Sequence, residues 1–291
     1  MLAKVKSYAL DGLQGYAIDT EVDINSGLPG YELVGLASTA TKESKERVRS
    51  AMKNSGLLYP MKRVTVNLAP ADMKKEGPAF DLPIAVGVLM ASNQLEQMDL
   101  TNTLMLGELS LDGSVRGVRG VLPITAEAKA RGYKRIYVPR ENAMEAAVVE
   151  GIEVLAVESL TEVAASLNGE QEIFSVQREV EMNISAEPYA DDFADVKGQQ
   201  HAKRALEIAA AGGHNVIMIG PPGSGKTMLA RRMPTIMPPM SVEEALETNK
   251  IHSVAGKLGT TRGLMSQRPF RAPHHMASPM ALIGGGNTPQ P

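Results

Sequence analysis

Along residues 1–168 the apolar positions change period repeatedly, between the two of a strand and the three to four of a helix. Ile18, Thr20, Val22 and Ile24 alternate with polar residues, as do Val64, Val66 and Leu68, and both runs predict half-buried strands. Between them, Ser44, Val48 and Ala51 lie at helical spacing in a helix over Thr41 to Asn54, stopped at Gly56. Phe80 to Ala91 is apolar almost throughout and predicts a buried helix entered through Gly77-Pro78. Leu104 to Leu111, Asp112-Gly113 and Ser114 to Val118 predict a hairpin, because Asp-Gly suits a tight turn. Then follow a helix (Leu122 to Arg131), a strand (Arg135 to Val138), a helix (Glu141 to Glu150) and a strand (Glu153 to Val157). A short last helix opens on the capping box Ser159 to Glu162 and stops at Gly169.

Periodicity weakens over residues 170–190, which read as a linker with one extended segment. A second α/β pattern occupies residues 191–291. Helix Gln200 to Ala211 ends at Gly212-Gly213, and Val216 to Ile219 has the apolar, β-branched character of a buried parallel strand. Helix Lys226 to Met233 is stopped by Pro234, and a capping box at Ser241 to Glu244 opens another helix. After Gly256 the chain is rich in Gly, Pro and Ser.

The strongest chemical signal lies between that strand and the helix after it. Gly220-Pro221-Pro222-Gly223-Ser224-Gly225-Lys226-Thr227 satisfies G-x-x-x-x-G-K-[ST] in full. Glycines let the backbone wrap so that successive N–H groups meet one anion, and the following helix adds its positive end. The expected ligand is ATP with Mg²⁺. Gly223, Ser224 and Gly225 offer backbone N–H groups, Lys226 reaches the β- and γ-phosphates, and the Thr227 hydroxyl ligates Mg²⁺. Gly220, Pro221, Pro222 and Met228 complete the nucleotide-binding set, with Lys226 and Thr227 as its catalytic members. Hydrolysis also needs an acidic pair ending a second apolar strand. No such pair follows Thr227, since Glu243, Glu244 and Glu247 sit in a helical pattern. These residues are therefore expected to bind ATP and to hydrolyse it poorly, as a truncated core would.

The 291 residues suffice for two domains, and 43% hydrophobic residues allow each a core. A net charge of -3 with 22% charged residues neither favours nor excludes nucleic acid. With no cysteine, disulfides, Cys zinc sites and thiol catalysis are excluded. No apolar run reaches membrane-spanning length, and Asp11 interrupts the N-terminal stretch, so no membrane partner and a cytoplasmic location are expected. Aromatic residues are 4%, too sparse to expect base stacking.

Longer motifs add a family resemblance covering nearly the whole chain. Asp195-Val196-Lys197-Gly198-Gln199 resembles the box before the first helix of AAA+ modules. Arg268-Pro269-Phe270-Arg271-Ala272-Pro273-His274-His275 and Gly284-Gly285-Gly286-Asn287 resemble a signature of the Mg-chelatase-like ATPases of the ComM/YifB branch, with Met276 where Thr is usual. In the first half, Gly27-Leu28-Pro29-Gly30, Val66 to Asp72 and Lys75 to Pro83 resemble the same family's first domain, which is similar to the proteolytic domain of Lon. The resemblance implies a Lon-protease-like α+β domain over 1–169, the linker 170–190, and the first part of a P-loop AAA+ α/β domain over 191–291. It implies a homohexameric ATP-driven motor on branched or single-stranded DNA, a helicase for branch migration during recombination and natural transformation. A chelatase-type ATPase subunit is the alternative, as is a non-hydrolysing ATP-binding assembly module. A Ser-Lys peptidase is rejected, because Ala79 stands where the family motif carries Ser and Leu122 where it carries Lys.

Weaker signals yield mostly to ordinary explanations. The basic residues Lys42, Lys45, Arg47, Arg49 and Lys53 are offset by Glu43 and Glu46 and read as a solvated helix side. Arg116, Arg119, Arg131, Lys134, Arg135 and Arg140 leave DNA contact and a plain surface evenly balanced. His274-His275 lack a third ligand nearby and read as polar loop residues. Met228, Met233, Met237 and Met240 read as core filler.

Overall fold

The computed structural model describes residues 1–95, 99–176, 189, 191–258, 265, 267–274 and 276–278. Contacts group the chain into two compact units, built mainly on Met1–Glu179 and on Val180–Thr248. The first unit is mixed α/β.

In the first unit, β1 (Leu2–Asp11) and β2 (Gln14–Asn25) form an antiparallel hairpin, followed by β3 (Gly30–Val34), α1 (Thr39–Lys42), α2 (Ser44–Asn54) and β4 (Arg63–Ala69). Next come α3 (Asp81–Ala91), β5 (Thr103–Met105), a small hairpin of β6 (Glu108–Leu109) and β7 (Val115–Arg116), and α4 (Val121–Ala130). The unit closes with β8 (Arg135–Pro139), α5 (Ala143–Ala146), β9 (Glu153–Val157) and α6 (Leu160–Leu167). Seven strands make one sheet in the order β3-β4-β2-β1-β5-β8-β9. Its pairs are parallel except β4–β2 and β2–β1.

The alternation read from sequence is the alternation observed. Ile18 and Val22 on β2 and Val64, Val66 and Leu68 on β4 are fully buried. On β1, Lys4 and Lys6 stand directly opposite Glu21 and Asp19 and pair with them at 2.7 and 2.6 Å. Every residue of α3 is buried, against β1 and β2 on one side and α2 and α6 on the other. A second core on the opposite face of the sheet joins Leu104, Ile136 and Val154 to Val121, Ile124 and Ala128 of α4.

Four expectations change in detail. The helix over Thr41 to Asn54 begins earlier and is broken at Glu43 into α1 and α2. The hairpin is smaller, because Leu104 and Met105 join the large sheet beside β1 and β8 and leave only β6 and β7 around Asp112-Gly113. The helix over Glu141 to Glu150 shrinks to a 3₁₀ turn and the four residues of α5. Within the linker, Ser175 bridges Leu155 and the Val176 N–H donates to the Val154 carbonyl at 2.8 Å, so its start edges the sheet.

One polar pair sits inside this apolar frame. Asp81, at the start of α3, is fully buried and receives Arg47 Nε at 2.6 Å, Arg47 Nη2 at 3.1 Å and the Leu109 N–H at 3.2 Å. Burial pushes its carboxyl up to about 6, while the Arg47 guanidinium and the Leu109 N–H pull it back. Arg47→Met leaves this carboxylate without its counter-charge and should cost ~3 kcal/mol of stability at neutral pH, measured by urea unfolding. Removing Arg47 raises the folded-state value further above that of the unfolded chain. The loss should therefore be largest at alkaline pH, shrink as the pH falls through the variant's raised value, and level off below about 6, where the wild-type carboxyl is protonated as well.

Candidate nucleotide-phosphate site

The second unit contains α7 (Gln200–Gly212), α8 (Lys226–Arg232) and the start of α9 (Val242–Val254). Its small core gathers Phe193, Val196, Leu206 and Leu229, with Ala202, Met218, Met233 and Ile236 packed against them. Asp192 caps the turn Phe193–Asp195 through a capping box. Arg232 ties that turn to α8 by donating to the Asp192 carbonyl at 3.0 Å and to Asp191 Oδ1 at 2.8 Å.

The parallel strand expected over Val216 to Ile219 is absent. These residues adopt no strand, and Ile217 and Ile219 are 85% and 90% exposed. A strand needs a hydrogen-bonded neighbour, and no second strand lies among the described residues of this unit. Its apolar composition is the pattern of a central strand whose partners are not among these residues.

The loop that follows has the backbone a phosphate cradle requires. Gly223 and Gly225 have φ of 78° and 85°, the left-handed region that a side chain disfavours. Ser224 lies between them, and Gly225 is the N-cap of α8. Lys226 curls back over the loop, its Nζ donating to the carbonyls of Gly220 at 2.9 Å and Pro221 at 2.8 Å, and lying 3.3 Å from Ser224 Oγ. The ammonium therefore sits at the mouth of the loop, where a phosphate oxygen would compete with those carbonyls. Pro222 is exposed on the loop. Thr227, on the first turn of α8, is also exposed, and no hydrogen bond holds its hydroxyl among the described residues. Met228 is 38% exposed. From the preceding box, Gln199 reaches the loop through Nε2 to the Ser224 carbonyl at 3.4 Å. Beside Lys226 lies a cavity of about 380 Å³ lined by Gln199, Ala202, Leu206 and Met218.

These groups suit ATP with Mg²⁺: an ammonium and loop amides for the phosphates, and an unengaged hydroxyl for the metal. No cluster of three His, Asp or Glu that could hold a metal exists among the described residues. The metal's remaining ligands would thus be phosphate oxygens, water or residues elsewhere.

Sequence reading missed the work of Arg268. It donates to Glu244 Oε2 at 2.7 Å and to the Pro238 carbonyl at 2.8 Å. Glu244 also completes the capping box with Ser241, at 3.0 and 3.2 Å, so one carboxylate fixes both the start of α9 and the Arg268 segment. His275 and Gly284 to Asn287 lie outside the described residues.

The family model for subunit ChlI of Mg-chelatase matches residues 20–142, and that for magnesium chelatase, subunit ChlI, matches residues 192–291. The competence protein ComM of Haemophilus influenzae is 45% identical over 294 residues, which take in 100% of this chain and 57% of that protein. YifB of Escherichia coli is 44% identical over 290 residues (100% and 56%), and an uncharacterized protein of Mycobacterium tuberculosis is 46% identical over 286 (98% and 56%). The chain belongs to the ComM/YifB Mg-chelatase-like family. It spans just over half the length of these relatives.

Two partial likenesses frame this ComM/YifB member further. Lon protease 2 of Bacillus subtilis is 31% identical over 146 residues, 47% of this chain and 26% of that protein. The DNA repair protein RadA of Listeria monocytogenes is 32% identical over 94 residues, 32% of this chain and 20% of that protein. At the two peptidase positions, Ala79 lines a cavity of about 450 Å³ and gives its carbonyl to the Gly107 N–H at 3.0 Å, while Leu122 is buried in the interior. Neither side chain can attack or accept a proton.

No helix among the described residues is long and apolar enough to cross a membrane.

Gly225→Ala tests whether the loop conformation matters. Holding alanine at a left-handed φ costs ~1–2 kcal/mol. Affinity for a fluorescent ATP analogue should therefore fall about tenfold. Circular dichroism should show the helices unchanged.

Proposed function

We propose that this chain is the nucleotide-binding part of an AAA+ motor of the ComM/YifB family, one that uses ATP with Mg²⁺ to move branched DNA during recombination. The observation that carries the reading is Lys226 poised over a loop whose Gly223 and Gly225 hold the left-handed turns of a phosphate cradle. Lys226 would bind and orient the β- and γ-phosphates, the loop amides would hold them, and Thr227 would hold Mg²⁺. The bound nucleotide supplies the phosphoryl group whose transfer to water drives the motor, and Mg²⁺ neutralises charge on it.

DNA as the partner is supported by two relatives' names, a competence protein over the whole chain and a DNA repair protein over part of it. Branch migration, a helicase activity, a homohexameric ring and a cytoplasmic setting complete the proposal. So do the division at 1–169, 170–190 and 191–291 and the role of the first domain as a scaffold for oligomer or DNA contacts. The acidic pair for hydrolysis, the sensors and the arginine finger are assigned to the further length that the relatives carry. These 291 residues alone would then bind ATP and turn it over slowly.

A chelatase-type subunit is the second reading, favoured by the descriptions of both matching family models. It differs in being indifferent to DNA. The deciding experiment measures ATP hydrolysis by the protein at the length of its relatives, with and without a four-way DNA junction. Stimulation by the junction, with Lys226→Ala lowering turnover ~10²-fold or more, is the expected result. Lys226-dependent hydrolysis unaffected by DNA would transfer the assignment to the chelatase-type reading.

A further inference from the structure

Gln199 adopts a backbone that few residues with a side chain accept. Its φ is 59° and its ψ 33°, in the left-handed region, directly after Gly198 at φ 65°. It stands at the N-cap of α7, where the usual residue is extended and turns a short oxygen-bearing side chain onto the first-turn N–H groups. Gln199 makes no such bond. Its carboxamide goes instead to the phosphate loop, 25 residues away, where Nε2 donates to the Ser224 carbonyl at 3.4 Å. The backbone around it is tied down. The Gln199 carbonyl accepts the Lys203 N–H at 2.9 Å, and the Lys203 ammonium donates to the Val196 carbonyl. A disfavoured conformation held in this way, on a residue that reaches a binding loop, points to a functional constraint.

We propose that Gln199 is a positioning residue for the phosphate loop, a role that rests on this loop binding nucleotide. A phosphate cradle needs its N–H groups turned inward on the anion. The Ser224–Gly225 peptide is trans, so its C=O and its N–H point in opposite directions. Gln199 takes the carbonyl from outside, which turns the Gly225 N–H into the loop. Among the described residues that N–H has no partner of its own. Glycine at 225 would otherwise let this peptide rotate at little cost, and only part of the population would offer the N–H to a phosphate. Lys226 cannot supply the same constraint, because its ammonium is held by the Gly220 and Pro221 carbonyls at the other end of the loop.

The test measures competition against a fluorescent ATP analogue, with ATP and with inorganic tripolyphosphate, which carries the phosphates without the base. Gln199→Gly accepts the left-handed backbone freely and removes the carboxamide. It should leave the thermal midpoint unchanged or higher, yet weaken ATP and tripolyphosphate about fivefold each. Gln199→Asn keeps an amide donor and tolerates the left-handed backbone, but it is one methylene short and should bind as weakly as Gln199→Gly. A residue that only supports the fold would lower stability and affinity together. One that touches only the base would leave tripolyphosphate unaffected. Either result would overturn the proposal. Wild-type affinity in Gln199→Gly, with Lys226→Ala still abolishing binding, would also overturn it while leaving the nucleotide site in place. A wild-type chain that binds neither ATP nor tripolyphosphate would remove both the site and the role of Gln199.

Discussion

Helix α3 is buried on every side, and the first unit is arranged around that fact. A helix with no polar face must be covered all round. The sheet covers one side and α2 and α6 the other, which fixes the order of layers. The approach to the sheet is close: a Cβ on Gly87 would stand 2.6 Å from Val22 Cγ2, so a larger residue there would push helix and sheet apart. Asp81 then becomes the most constrained polar group in the unit. It opens a helix with no solvent around it, and its carboxylate is tolerable there because Arg47 reaches in from α2. That contact also locks α2 to α3, so the two helices cannot slide independently beneath the sheet.

Much of this was legible in the sequence because burial here follows simple periods. Ile18 and Val22, and Val64 through Leu68, show alternation because each strand has one face on a core. Phe80 to Ala91 shows continuous apolarity because α3 has no solvent face. The pairing of Arg47 with Asp81 was not legible. It links residues far apart in sequence, and from local pattern alone Arg47 looked like one cation on a solvated helix. The hairpin was misjudged for the same kind of reason. Leu104 and Met105 are claimed by β1 and β8, long-range partners that outweigh a local turn signal.

The phosphate loop shows the reverse balance between local and distant causes. Its shape depends on the backbone freedom of Gly223 and Gly225 and on Lys226, all within a few residues, so eight letters sufficed to read it. The strand before it depends on neighbours, and the structure shows Ile217 and Ile219 exposed where the pattern called for burial. A local motif can thus specify its geometry where no sheet surrounds it among the described residues. The same contrast separates binding from hydrolysis. Phosphate contact is local to the loop, whereas water activation needs a group delivered on a second strand.

Charge distribution in the first unit narrows where DNA could be met under the proposed function. The basic stretches look extensive as sequence, yet many of their cations are committed. Arg131 pairs with Glu127, Arg135 with Glu153 and Arg140 with Glu158, while Arg47 serves Asp81 and Arg49 stacks over Tyr59. A cation held by a carboxylate neutralises a phosphate only by giving up that partner, which reduces the gain from counter-ion release. Among the described residues Lys42, Lys53, Arg116, Arg119 and Lys134 have no such pairing. Arg119 lines the cavity beside Ala79, and Arg116 stands three residues before it on β7. If DNA touches this unit, the segment before α4 offers two guanidinium groups without an ion pair, three residues apart, whereas α2 has Lys53 alone.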